Sequence, residues 1–168
     1  MKKRLACPLL CLLLCLACLV ACQRTPPSAE AILSSLMEEA DGSLPTGSVY
    51  LSGAEEGSNA YPSPSLLRAM YGETAEEILG LTEDYAIYLS SRAFPAELAV
   101  FRCYSASDAD RIAALCLNRR DDLQVALRGT AWEARSDSVW VVDRGRFVVM
   151  GFAENGAELQ KEALRLIG

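Results

Sequence analysis

The sequence predicts an α+β domain built as a two-layer sandwich: a four-stranded antiparallel sheet in the order strand, strand, helix, strand, strand, helix, with extra helices ahead of it. Three observations predict this class. Beyond residue 83, two pairs of short segments rich in β-branched and aromatic residues are each followed by an amphipathic helical stripe. Short turns at Pro95 and at Arg144-Gly145 make each pair a hairpin. Each helix carries one apolar stripe and needs one sheet face to bury it, so both are expected on the same face.

Ala29 to Ala40 places Ile32, Leu33, Leu36 and Met37 at helical spacing, with Glu38 and Glu39 beyond them, which predicts an amphipathic helix ended by Asp41-Gly42. Leu44 to Pro64 is rich in Gly, Ser and Pro and reads as mostly loop around one apolar patch, Val49 to Leu51. Ser65 to Tyr71 predicts a short helix stopped by Gly72. Tyr85 to Ser90, alternating around Ile87 and Leu89, and Glu97 to Tyr104 form the first hairpin. Ser105 or Ser107 caps the next helix, with Asp108 and Asp110 against its positive end. Its stripe runs through Ala109, Ile112, Cys116, Leu123 and Leu127, with Arg120 in the gap.

Ser138 to Asp143 and Arg146 to Phe152 form the second hairpin, and Gly156 to Ile167 the closing helix, apolar along Leu159, Ala163, Leu164 and Ile167. The second hairpin is apolar at both parities, with Val139, Val141, Phe147 and Val149 assigned to one side and Trp140, Val142, Val148, Met150 and Phe152 to the other. Its second face therefore needs a cover, for which the N-terminal helices are the first candidate and a partner the second.

Composition removes several function classes. The 168 residues, 51% hydrophobic and 23% charged, suffice for one modest domain. Histidine is absent, which excludes His acid–base catalysis, Ser-His-Asp and Cys-His nucleophile sites and His-containing zinc sites. A sequence pI near 4.8 and 7% aromatic residues argue against a nucleic-acid partner.

At the N-terminus, Met1-Lys2-Lys3-Arg4 precedes an uncharged run from Leu5 to Cys22, and Gln23-Arg24-Thr25-Pro26-Pro27 breaks it. A basic start, an apolar run and a polar stop constitute an export signal. Leu19-Val20-Ala21-Cys22 resembles the lipobox of bacterial lipoproteins, in which the cysteine is acylated on sulfur and becomes the first residue. The expected organisation is a lipoprotein signal peptide at 1–21, a lipidated tether at 22–28 and a single domain at 29–168. A plain secretory signal or a retained anchor are the alternatives, although an 18-residue helix spans only about 27 Å, slightly short of the bilayer core. Removing residues 1–21 takes three basic and no acidic side chains from a chain of net charge −6, leaving −9.

Cys7, Cys11, Cys15, Cys18 and Cys22 fall on one helical stripe, read as small apolar residues of the export segment rather than ligands. Only Cys103 and Cys116 lie in the body, as a candidate disulfide or as two buried free thiols. The pairs Glu38-Glu39, Glu55-Glu56, Glu76-Glu77 and Asp121-Asp122 read as solvated charge. Asp108-Ala109-Asp110 lacks the rest of a calcium loop, and Gly53-Ala54-Glu55-Glu56-Gly57 lacks the lysine of a phosphate loop. Lys161, the one lysine of the mature chain, has no serine beside it in sequence. No catalytic, metal or cofactor residue is assigned. Arg120, in an apolar stripe, is either a structural ion pair or an anion or partner contact. Trp132 and Trp140 are core residues or interface anchors.

Arg68-Ala69-Met70-Tyr71-Gly72, Glu97-Leu98-Ala99-Val100-Phe101-Arg102, the helix from Asp108-Ala109-Asp110-Arg111-Ile112-Ala113 to Arg119-Arg120, and Gly145-Arg146-Phe147-Val148-Val149 follow one another in an order and spacing similar to the domain of unknown function 4358 family. That family comprises small lipoproteins, mostly of clostridial-type Gram-positive bacteria, with one short α+β domain behind a lipobox. The resemblance covers roughly 32–166 and implies a lipoprotein with this fold order. It brings no activity, substrate or catalytic residue.

These readings lead to an extracytoplasmic lipoprotein anchored to the cell membrane through Cys22, acting as an envelope interaction or ligand-binding module without enzymatic activity. Its partners would be the membrane, through the lipid, and an envelope protein or small ligand. A carboxylate-based hydrolase predicts two carboxylates converging in a pocket. A structural accessory subunit predicts a flat apolar face around Trp140 and Met150.

Overall fold

The computed structural model describes residues 26–91 and 95–168. The export segment, its cysteine stripe and Cys22 lie outside the described residues. The elements are α1 (Ala29–Glu39), β1 (Gly47–Leu51), α2 (Pro64–Tyr71), α3 (Ala75–Leu79), β2 (Thr82–Ser90), β3 (Glu97–Cys103), α4 (Ala106–Leu127), a 3-10 turn (Glu133–Ser138), β4 (Trp140–Arg144), β5 (Phe147–Phe152) and α5 (Gly156–Ile167). Among the described residues no helix is long and apolar enough to cross a membrane.

Helix starts follow side-chain chemistry. The Ala31 amide donates to Ser28 Oγ, the Leu66 amide to Ser63 Oγ, and the Asp108 amide to Ser105 Oγ. Each such cap satisfies an otherwise orphaned donor and stabilises its helix by about 1 kcal/mol. Pro64 occupies the first turn of α2, where its missing N–H costs nothing, and Gly72 ends that helix with φ +87°.

The fold is α+β with an open antiparallel sheet of five strands, ordered β1-β2-β3-β5-β4. The fifth strand is β1, in the segment expected to be loop. Only Val49 to Leu51 of it carries a strand-like signal, and its pairing partner, β2 at Ala86 to Ser90, lies almost 40 residues away in sequence. The short helix α3 is a second element that the sequence reading did not place.

The expectation of two layers is also corrected. α2, α3 and α4 pack with Ile87, Ala99, Phe101, Val148, Met150 and Phe152 on one face. α1 and α5 pack with Ala86, Tyr88, Leu98, Val100, Trp140, Val142 and Val149 on the other. The two long helices therefore lie on opposite faces of the sheet. The cause is in β3, where every residue except Arg102 is buried, so a single helical layer would leave half the strand exposed. The second hairpin's other face is covered by α5 rather than by the N-terminal helices: α1 lies over β2 and β3 on that side, and α2 packs on the opposite face.

The side assignment within the second hairpin needs a further correction. Arg144 pairs with Phe147 and Val142 with Val149, so a two-residue turn sets odd positions of β4 opposite even positions of β5. Val141 thus shares a face with Met150, and Trp140 with Gly151. Gly145, first of the two turn residues, has φ +60°, the sign that primed hairpin turns demand.

Candidate functional site

The concavities of the described residues include a charged one of about 380 Å³ at Glu39, Glu158, Lys161, Glu162 and Arg165. Two places set a concavity against a buried polar cluster or an open sheet edge. The first is buried. Glu97 opens β3 only 2% exposed, and its carboxylate accepts from Arg119 Nη2 of α4 at 2.7 Å and Nε at 3.1 Å. Tyr71 Oη of α2 donates to Glu97 Oε1 at 3.5 Å. Burial works against the Arg119 charge, but the adjoining carboxylate offsets it and holds the guanidinium above its ordinary value. Burial, then the Glu97 charge, pushes the Tyr71 phenol well above its usual range. This triad ties the sheet to two helices. Glu97 and Arg119 also line a cleft of about 160 Å³, together with Leu89, Pro95 and Leu123.

The second place is an open edge. Ser52 N–H donates to the Tyr85 carbonyl at 3.1 Å, and Ser91 N–H to the Thr46 carbonyl at 2.9 Å. Those rungs fix the alternation along β1: Ser48 and Tyr50 bond to β2, while Gly47, Val49 and Leu51 turn their N–H and C=O groups away from the sheet. The outward Leu51 amide is met by the Ala60 carbonyl at 2.9 Å, from the loop that follows the strand. The outward groups of Gly47 and Val49 have no partner among the described residues. A side chain at Gly47 would force β1 to shift, because a Cβ there would stand 2.3 Å from the Leu89 carbonyl oxygen and 2.5 Å from the Tyr88 ring. That ring is held in turn by the bond from its hydroxyl to the Pro45 carbonyl.

Beside this edge lies a groove of about 450 Å³, lined by Leu33, Ser34 and Met37 of α1, Val49 and Leu51 of β1, and Ala60, with Glu30 at its rim. It exists because α1 packs over β2, β3 and α5 and leaves the β1 side uncovered. An adjoining pocket of about 330 Å³ shares Glu30 and Leu51 with it and adds Glu83 and Asp84. Both added carboxylates are engaged. Arg102 Nη2 donates to Asp84 Oδ2 at 2.8 Å, Arg102 Nη1 lies 3.2 Å from Glu83 Oε2, and Arg146 also pairs with Glu83.

The residues singled out in the sequence fall as follows. Arg120 does not enter the stripe of α4; it is part-exposed and pairs with its neighbour Asp121 at 2.8 Å. The arginine of that stripe is Arg119, three residues past Cys116 and four before Leu123. Either neighbour satisfies helical spacing in the seven-residue gap, and the missed signal was a charged partner, Glu97, at the head of an otherwise apolar strand. Leu115 of the same stripe was missed with it.

Trp140 is 7% exposed and lies across Gly151, where a Cβ would meet its ring at 2.2 Å. It is a core residue rather than an interface anchor, and its Nε1 has no hydrogen-bond partner among the described residues. Met150 is buried on the opposite sheet face, so the flat apolar face expected around the two does not form. Trp132 is half-buried against the α4 cluster, with the Arg135 guanidinium 5.9 Å from its ring centre.

Cys103 and Cys116 are buried free thiols in one apolar cluster, the second of the two states open to them from the sequence. Burial pushes the Cys103 thiol up to about 12, and burial followed by the Glu97 charge raises Cys116 well above its usual range.

Comparison of the chain with family models, with curated proteins and with solved structures finds no match in any of the three.

Proposed function

We propose that this protein is an extracytoplasmic lipoprotein, held at the membrane by acylated Cys22, whose domain is a non-enzymatic binding module that takes its ligand in the groove between α1 and β1. The observation that carries the reading is the groove itself: an apolar concavity, in the volume range of ligand sites, beside an unpaired sheet edge. The anchoring half rests on the basic start, the apolar run and the lipobox-like Leu19-Val20-Ala21-Cys22. The resemblance to the domain of unknown function 4358 lipoproteins points the same way. Acyl chains hold such a domain at the outer leaflet, while its net charge keeps the body off anionic lipid.

The test places a photoreactive benzoylphenylalanine at Ser34, in the groove, or at Asn118, exposed on α4 of the opposite face, in cells carrying the full chain. After irradiation, intact mass spectrometry of the membrane fraction should show an adduct from the Ser34 position and none from Asn118. The mature species should begin at acylated Cys22 and be lost in Cys22→Ala. Equal adducts at both positions contradict the binding half; an unmodified chain retaining Met1 contradicts the anchoring half.

A further inference from the structure

We infer that β1 is a strand-addition site whose ligand is an extended, cationic and apolar segment of a partner protein, paired antiparallel or parallel to Gly47–Leu51 as a sixth strand. The inference rests on the groove reading and goes further, by specifying what kind of molecule enters.

The backbone pattern selects an extended chain. The free groups at Gly47 and Val49 are two N–H donors and two C=O acceptors in a row along a sheet edge, a pattern that only another strand satisfies in register. The molecule already makes one such bond itself, where the Ala60 carbonyl takes the Leu51 amide, so an incoming segment continues a rung that the loop has begun. Side-chain periodicity selects apolar residues at alternate positions. Val49 and Leu51 stand on the groove side of the sheet, and every second residue of an added strand projects over the same side, toward Leu33 and Met37.

Charge selects the sign. Glu30 is the one charged residue lining the groove, the loop after β1 carries Glu55 and Glu56, and no lysine or arginine lines the groove. Glu30, at the rim of the groove, has no ion-pair partner among the described residues. A negative field across one edge raises the encounter rate of a cationic segment and repels an anionic one. It equally disfavours pairing of two β1 edges in a homodimer, since both copies bring Glu30, Glu55 and Glu56, and docking on an anionic lipid surface.

The experiment uses the full chain in phosphatidylcholine nanodiscs and the synthetic peptide Lys-Val-Lys-Val-Lys-Val-Lys, with blocked ends, read by biolayer interferometry against empty nanodiscs. Binding should saturate and weaken as salt is raised. The Glu-for-Lys analogue should not bind. N-methylation of alternate peptide amides removes the donors on one edge; in the register facing β1 it should weaken binding about tenfold or more, and in the other register leave it unchanged. Val49→Pro, which removes an outward donor without touching a rung to β2, should produce the same loss, and unchanged circular dichroism with a thermal midpoint lowered by no more than a few degrees verifies its fold.

If the parent peptide binds but neither methylation register nor Val49→Pro matters, strand addition is overturned while the groove reading survives. If no peptide binds and the Ser34 photoprobe also gives no adduct, both fall. Self-association of the chain through β1 in place of peptide capture overturns the inference as well.

Discussion

The two edges of the sheet are closed in different ways. β4 ends in the exposed charged pair Asp143-Arg144, lies against both α4 and α5, and has Trp140 laid across Gly151 of its neighbour. Arg144 also reaches Gly168 at the C-terminal end of α5, where a cation meets the negative end of the helix. β1 shares only the ring laid over a glycine, with Tyr88 across Gly47, and lies against no pair of helices as β4 does. Its five residues, Gly-Ser-Val-Tyr-Leu, are uncharged, and its outward groups at Gly47 and Val49, like those of Val141 and Asp143 on β4, meet no backbone partner among the described residues. Natural sheets guard their edges because an unguarded strand recruits another. The uncharged edge beside an apolar groove, set against a charged edge packed under two helices, is why the proposed working surface lies at β1.

On this account stability resides in the framework and binding at the β1 edge, and substitutions separate the two. The largest effect is expected at Arg119→Ala. Removing the guanidinium strands the Glu97 carboxylate at 2% exposure, at a cost of about 3–5 kcal/mol, measurable by urea denaturation. Replacing both members of the pair with apolar residues of similar size should recover much of that loss. A single Arg119→Ala variant as stable as the wild type would mean that the pair is not closed in solution.

Next come two glycines that mirror each other across the sheet. Gly151→Ala drives a Cβ into the Trp140 ring, which is fixed beneath α5, and should cost about 1–3 kcal/mol. Gly47→Ala meets Tyr88 and the Leu89 carbonyl at similar distance, yet β1 has one strand neighbour and can peel away, so the loss should be smaller. Equal costs would show that β1 is held as firmly as β5.

A pH effect follows from the buried thiols. The folded state keeps the proton on Cys103 up to about 12, whereas an exposed thiol loses it near 9. The contribution to stability is therefore complete below pH 9 and disappears as pH rises from 9 toward 12, because only the unfolded chain releases the proton in that window. Unfolding free energy should fall more steeply with alkali in the wild type than in Cys103→Ala; parallel curves would contradict it. Below pH 9 both thiols should resist alkylation until the protein unfolds.

The smallest effect on stability is expected at Val49→Pro, about 1 kcal/mol or less by thermal melting, since the amide it removes bonds to no neighbouring strand. A large loss there would break the comparison, because β1 would then be part of the framework.

How much of this was legible in the sequence depended on where the signal was local. α1, α4 and α5 were placed to within a residue or two, because capping serines and apolar stripes are short-range features. The first hairpin was legible from alternation, and the second from its β-branched and aromatic runs on either side of the Arg144-Gly145 turn. Layering was not, because the packing of α4 and α5 on opposite faces is decided by β3, whose run Glu97-Leu98-Ala99-Val100-Phe101 reads equally as half-buried or fully buried. β1 was lost for a related reason: its pairing energy comes from distant β2, and Gly47 and Ser48 argue against a strand locally. Of the candidate site, Glu97 and Arg119 lay within quoted motifs yet were not paired, and the groove became visible only once α1 and β1 were set side by side.

The most direct test of an open working edge is residue-resolved amide hydrogen exchange on the full chain, free and with the Lys-Val peptide. The free protein should exchange the outward amides of Gly47 and Val49 rapidly while the amides of Ser48 and Tyr50, bonded to β2, are protected. Peptide should then protect Gly47 and Val49 and leave Val141 and Asp143 of β4 unchanged. Protection of the Gly47 and Val49 amides before any peptide is added, or protection that appears on β4 instead of β1, would contradict the account.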